Sequence, residues 1–361
     1  MDDKQPRPQA IAGRAKNVPG PRWRRASDAL AGLTGPRVPQ TVGAVRTPYI
    51  TTVTGDIPAD QLGPTLAHEH LYCDVSLFSG RPDNRVMDVP LIIGELEYFK
   101  RAGGGAMVEV TPVGIGRNPA RLREISEGSG VPIVCGTAFY DEAVYPDWLK
   151  VATVPEIADY FVKQIEEGED GVRAGLIGEV ASHNEPVPNP NYQLRENERR
   201  VFEGAAQAQR RTGVAISTHA ALGRAGHAQL DVLEAAGADL TRVVIGHCDA
   251  HWHEDPEIDL NYYRPILERG AYCEFDLIGW TMLAPDEIRA ERIAMLVRLG
   301  HAAKILLATD TCRLSQMRAN GGRGYDSLWT SFLPRLRTLG VSEAAIHTML
   351  VEAPRTVLGR R

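Results

Sequence analysis

Leu66-Ala67-His68-Glu69-His70 is an apolar approach that ends in two histidines spaced i, i+2. On a β-strand successive side chains alternate faces, so His68 and His70 point the same way, about 6.6 Å apart along the strand. On a helix the same spacing splays them roughly 200° apart. Two imidazoles turned toward one point suit a shared metal, although such pairs also occur on solvated faces. Seven further apolar runs follow: Gly104–Thr111, Val131–Thr137, Ala174–Val180, Val214–His219, Arg242–His247, Ala271–Phe275 and Lys304–Asp310. Like Pro64–His70, each is short and closes on polar residues. Such runs read as parallel strands covered by helices on both faces. Helical candidates lie between them, including Arg195–Thr212, Asp286–Gly300 (closing on a glycine) and a last one, Ser342–Leu350, with an N-cap serine. Eight β-then-α units predict an α/β fold, a (β/α)8 TIM barrel preceded by a short hairpin at Tyr49–Pro58 whose turn is Gly55–Pro58. A doubly wound sheet is the competing topology.

The 361 residues are 43% hydrophobic and 24% charged, with a net charge of −6. That balance argues against an obligatory nucleic-acid partner, and no run of ~18–20 apolar residues predicts a membrane span. The first forty residues differ: they hold six prolines, eight basic and three acidic residues, a net of +5, leaving −11 on the remainder. Residues 1–46 are expected to form a disordered extension, because such a segment buries too little to offset its ordering entropy, and residues 47–361 are expected to form the barrel. Arg24-Arg25 lacks the apolar region of an export signal. Five cysteines without a CxxC pair point to a reducing, cytoplasmic setting.

In a (β/α)8 barrel the active site lies at the C-terminal ends of the strands. His68 and His70 end the first run, Glu179 the fourth, His219 the fifth, His247 the sixth and Asp310 the eighth. A lone histidine at a strand end is commonly a hydrogen-bonded core residue. Six ligand-type residues at equivalent positions ask for another explanation. Imidazole with carboxylate suits zinc, with manganese, cobalt or iron as competitors. Six side chains exceed the three protein ligands of one catalytic zinc and suffice for two metals if a carboxylate bridges. Cys73, Cys248 and Cys312 sit beside these positions. Thiolate ligation is an option, but free cysteine commonly serves as a small buried hydrophobe.

This pattern matches the amidohydrolase superfamily. Thr65-Leu-Ala-His-Glu-His70, Val110-Thr-Pro-Val-Gly-Ile-Gly-Arg117, Gly136-Thr-Ala-Phe-Tyr140, Ser217-Thr-His219, Ile245-Gly-His-Cys-Asp249 and Gly321-Gly-Arg-Gly-Tyr325 resemble its phosphotriesterase-like family from about Thr47 to Leu358. The resemblance implies a binuclear centre, with His68, His70 and Asp310 on the inner metal and His219 and His247 on the outer one. Well-studied members bridge the pair with a carboxylated lysine. No lysine occurs in Arg173–Ser182, and Glu179 takes that place, as in the phosphotriesterase-related branch. Metal loading should then be independent of bicarbonate. A homodimer is implied by the family's tendency alone.

Two metals ~3.5–4 Å apart lower the pKa of a shared water and polarise the substrate, and Asp310 can accept its proton. The expected reaction is hydrolysis of an ester-type bond (phosphoester, lactone or carboxylester), with an N-acyl amide as the alternative and a non-catalytic metal- or ligand-binding barrel as the second. The aspartate and histidine that organophosphate hydrolases of the family use to shuttle protons correspond to Ala250 and Leu277, and the arginine of quorum-signal lactonases also corresponds to Leu277. Tyr140 matches the tyrosine of the lactonase pocket. For the small-molecule substrate, Trp280, Arg313, Arg318 and Arg323 are candidate contacts, since guanidinium offers a planar fork to an anion; a solvated loop is the plain alternative. Asp249, His251, His253 and Asp276 belong to the same specificity loops. His183 is expected on a loop surface, and His227, His301 and His347 in structural positions.

Overall fold

A computed structural model describes residues 47–183, 192–220 and 224–361. The expected extension over 1–46 lies outside them. Eight parallel strands form the barrel wall: β1 (Thr65–Glu69), β2 (Ala106–Glu109), β3 (Ile133–Thr137), β4 (Leu176–Ala181), β5 (Ala215–His219), β6 (Val243–Ile245), β7 (Tyr272–Phe275) and β8 (Ile305–Leu307). They hydrogen-bond in chain order from β1 to β8. Each is followed by a helix, from Val89–Ala102 after β1 to Leu333–Thr338 after β8. The fold is a TIM barrel, and the doubly wound alternative is set aside by the strand order.

Two apolar layers hold it together. The larger lies between sheet and helices and includes Leu66, Ile133, Ile177, Ile216, Ile245 and Phe275. The smaller fills the barrel floor with Ala67, Val108, Leu176, Ala215, Val244 and Leu306, and the C-terminal helix Ala353–Leu358 closes it with Ala353, Val357 and Leu358. No described helix is long and apolar enough to cross a membrane. All five cysteines are buried and unpaired.

Two strands depart from a regular pleat. Leu66 and Glu69 of β1 pair with Met107 and Glu109 of β2, and Ile177 and Val180 of β4 pair with Ile216 and Thr218 of β5. In both cases three steps on one strand face two on its neighbour, the count of a β-bulge. A strict alternation would put Leu176 and Glu179 on opposite faces. The extra residue lets Leu176 fill the floor while Glu179 faces the interior higher up, and it does the same for Ala67 and His68.

Three details correct the sequence reading. Gly55–Pro58 is the returning strand of the first hairpin, paired Thr52↔Gly55 through Tyr49↔Pro58, with the turn at Val53-Thr54; the Thr51 hydroxyl donates to Asp56 Oδ1 across it (2.8 Å). A second short hairpin, Cys73–Asp74 with Arg85–Val86, is unforeseen. Finally, β6 and β8 stop short of His247 and Asp310. Both residues take left-handed backbone conformations, φ 53° and 45°, which end a strand and cost a non-glycine residue on the order of 1–2 kcal/mol.

Among the described residues no backbone ladder joins β8 to β1. The seam is held at its upper end by Glu69. Its Oε1 accepts from the Thr309 amide and hydroxyl (2.7 Å each), and Oε2 from the Thr311 amide (2.9 Å). Truncation leaves the two buried amides without an acceptor. Glu69→Ala is expected to destabilise the chelator-treated protein by roughly 3 kcal/mol, and Glu69→Gln, which keeps one acceptor oxygen, by less; chemical denaturation checks both.

Candidate metal centre

Glu179 stands at the middle of the upper barrel, 1% exposed. Its Oε2 lies 2.9 Å from His219 Nδ1, 3.1 Å from His68 Nε2 and 3.8 Å from His247 Nε2, and its Oε1 lies 3.7 Å from His70 Nε2. His70 Nε2 is also 3.2 Å from Asp310 Oδ1, and His247 Nε2 is 2.8 Å from His219 Nδ1. The structure thus brings together all six side chains singled out as ligands. Their donor atoms form two compact groups, His68, His70 and Asp310, and Glu179, His219 and His247, while a third group joins His68 and His247 to Asp276. Asp310 is the most exposed of the six, at 12% of its side chain.

The imidazoles are aimed by a second ring of residues. His68 Nδ1 faces Glu274 Oε2 (3.0 Å) and Asp276 Oδ2 (3.2 Å). His247 Nδ1 faces Asp276 Oδ1 (2.8 Å), and the His247 amide donates to Asp276 Oδ2 (2.9 Å). His70 Nδ1 meets the Thr111 hydroxyl (2.8 Å), which itself donates to Glu109 (2.5 Å). A hydroxyl that spends its proton on a carboxylate can only accept from the ring. His68, His70 and His247 therefore carry their neutral-form proton on Nδ1 and turn a lone pair on Nε2 inward, the tautomer a metal ligand needs.

The electrostatics point the same way. Burial disfavours the charged form of Glu179, but the facing His219 and His68 hold its pKa well below the usual carboxylate range. Burial likewise opposes charge on His68 and His247. The neighbouring carboxylates outweigh it, raising His68 well above its ordinary value and His247 to about 9. Buried Glu69, Glu109 and Glu274 are pushed up to about 7. This is a cage with surplus negative charge that retains cations, whether protons or metals. His68 Nε2 is buried and makes no hydrogen bond, although Glu179 lies within 3.1 Å. In the neutral ring that nitrogen and the carboxylate oxygen are both lone-pair atoms, and a shared divalent cation would satisfy the two of them.

The remaining candidates divide. The Tyr140 ring lies 5.0 Å from the His219 ring and 5.3 Å from Phe78. Trp280 Nε1 donates to the carbonyls of Thr309 (3.0 Å) and Asp310 (3.2 Å), and the Arg313 guanidinium sits 4.4 Å over the Trp280 ring. Among the described residues no carboxylate pairs with Arg313. Arg323 braces the rim, donating from Nη2 to Thr309 O (2.6 Å) and resting on Gly279, whose φ of 87° and lack of Cβ leave room for it. Arg318 is paired with an acid. Its fork is held by Asp326 (2.6 Å from Nε to Oδ1), and its amide donates to Glu95.

Several expectations change. Asp276 is not a specificity residue but a fully buried support for two histidines. Asp249 is also buried, and it pairs with Arg289 (2.7 Å). His183 is buried rather than on the surface, with Nδ1 2.8 Å from Glu198 and its ring stacked on Tyr192. His253 stays in its own exposed turn, accepting from the Asp255 amide; His251 is partly exposed. No cysteine enters the ligand groups among the described residues. Glu109, Thr111 and Glu274 were missed, and the signal was present: a carboxylate inside a buried strand run, as in Ala106-Met-Val-Glu109 and Tyr272-Cys-Glu274, is rare unless paired. Thr111→Val is expected to weaken divalent-metal affinity about tenfold, and Asp276→Ala, which frees two rings, up to about 100-fold; competition with a chelating dye measures both.

A family model described as the phosphotriesterase family matches residues 48–358. The chain is 36% identical over 300 residues to the phosphotriesterase homology protein of Escherichia coli, covering 82% of this chain and 97% of that one. It is 32% identical over 286 residues to an N-acetyltaurine hydrolase of Dictyostelium discoideum, covering 75% and 73%. The solved organophosphorus hydrolase from Deinococcus radiodurans superposes with a TM-score of 0.74 at 30% identity, over 88% of this chain and all of that one. Motifs, barrel and ligand cage agree with these likenesses, and the chain belongs to the phosphotriesterase family of metal-dependent hydrolases.

Proposed function

We propose that this protein hydrolyses an N-acyl amide whose leaving amine carries an anionic group. The observation that carries the reading is Arg313, a guanidinium without a carboxylate partner among the described residues, stacked on an indole that is bonded to the Asp310 backbone. A fork of that kind suits a sulfonate or carboxylate. The relative named N-acetyltaurine hydrolase supports the same class. Two divalent cations, zinc by the donor set, held by His68, His70 and Asp310 and by His219 and His247 with Glu179 between, would acidify water and polarise the scissile carbonyl.

Asp310 is the group placed to take the proton of the attacking water. It is the most exposed of the six, and its Oδ1 faces His70. The same carboxyl can then protonate the departing nitrogen. Ala250 and Leu277, buried and apolar, supply no proton relay of the kind phosphotriester cleavage uses in the family. Tyr140 beside His219 offers a flat wall for the acyl part and favours one second reading, a lactone or carboxylester. Five buried cysteines without a disulfide fit a reducing compartment.

The test is a panel assay of the protein loaded with zinc, manganese or cobalt. N-acetyltaurine and N-acetylated amino acids are expected to exceed uncharged esters and lactones in kcat/KM. Arg313→Met should raise KM for the anionic amides about tenfold or more with kcat little changed, and Asp310→Asn should lower kcat by roughly 10²–10⁴. Uncharged esters turned over more efficiently than the anionic amides, with Arg313→Met neutral, would sink the amide reading.

A further inference from the structure

The loop after β7 carries Trp280 and buries Leu277, Ile278 and Ala284. Its polar anchor is one arginine. Arg289, on the helix Asp286–Arg298, is 2% exposed. Its Nε donates to Asp249 Oδ2 (2.7 Å), Nη1 to Ala284 O (2.6 Å) and Asp286 Oδ1 (3.0 Å), and Nη2 to Trp280 O (3.2 Å). The two carboxylates in turn accept loop amides: Asp249 Oδ2 from Leu277 (3.1 Å) and Asp286 Oδ1 from Gly279 (2.9 Å). One guanidinium therefore fixes residues 277, 279, 280 and 284, directly or through a carboxylate. Only a planar fork with five donors can address that many acceptors at once.

We propose that Arg289 is the positioning residue of the substrate's anion site. Held by Asp249 and Asp286, it sets the Trp280 ring against the carbonyls of Thr309 and Asp310, and the ring sets Arg313 above it. The chain of contacts runs from a buried ion pair to the partly buried Arg313 guanidinium, and it meets the six ligands only at the Asp310 backbone carbonyl. This rests on reading Arg313 as the anion-binding group.

Two variants test it, Arg289→Lys and Asp249→Asn, each of which keeps a polar partner in place so that the barrel folds. Hydrogen exchange of peptides covering 277–285 is expected to rise at least about tenfold, with the β1 peptides and metal content unchanged. In the zinc-loaded protein the Kd for taurine and the KM for N-acetyltaurine should both rise at least about fivefold, with kcat within about twofold. A merely structural role would lower kcat and metal content together. Exchange at the wild-type rate in both variants overturns the positioning role. Faster exchange with unaltered taurine affinity overturns its link to the anion. Wild-type protein that binds no taurine overturns the reading of Arg313 instead, while the exchange rates still decide whether Arg289 holds the loop.

Discussion

A carboxylate sealed from water stays charged only when cations or strong donors surround it, and Glu179 meets that condition through four imidazoles. Every other feature of the upper barrel follows from keeping those groups in place. The imidazoles cannot be left to rotate, so Glu274, Asp276 and the Thr111–Glu109 pair fix three of them from behind. Those supports are themselves acidic and buried. The outcome is a shell of carboxylates around a shell of imidazoles, which favours positive charge at the centre.

Backbone geometry is spent on the same end. His247 and Asp310 hold left-handed conformations just beyond their strands, and β1 and β4 each accommodate an extra residue. These departures occur where side chains must leave the alternation of a regular strand. The floor below them, filled by small and branched apolar residues and closed by the C-terminal helix, needs no such irregularity. Rigidity beneath and strain above is the division expected when a packed core carries a reactive rim.

The rim separates into groups that hold the centre and groups left over for a ligand. Three loop arginines look alike in sequence. Only their partners distinguish them: Asp326 takes Arg318, the Thr309 carbonyl takes part of Arg323, and Arg313 rests on an aromatic ring. The same sorting moves Asp249 and Asp276 from the surface into the scaffold. A charged residue's role in such a site depends on which opposite charge reaches it first, and that is settled by residues distant in the chain.

The eight apolar runs and the ligand types at their ends were legible in the sequence, because strand burial and metal chemistry each restrict the residues allowed at a position. So was membership of the family, carried by contiguous words such as Thr65–His70. What the linear order could not decide was register and partnership. The bulges that turn Glu179 and His68 inward, the Glu69 closure of the seam and the Asp249 contacts of the Arg289 knot join residues from 28 to 242 positions apart. A residue's type is fixed locally, whereas the groups that satisfy its charge and hydrogen bonds are chosen only when the barrel closes.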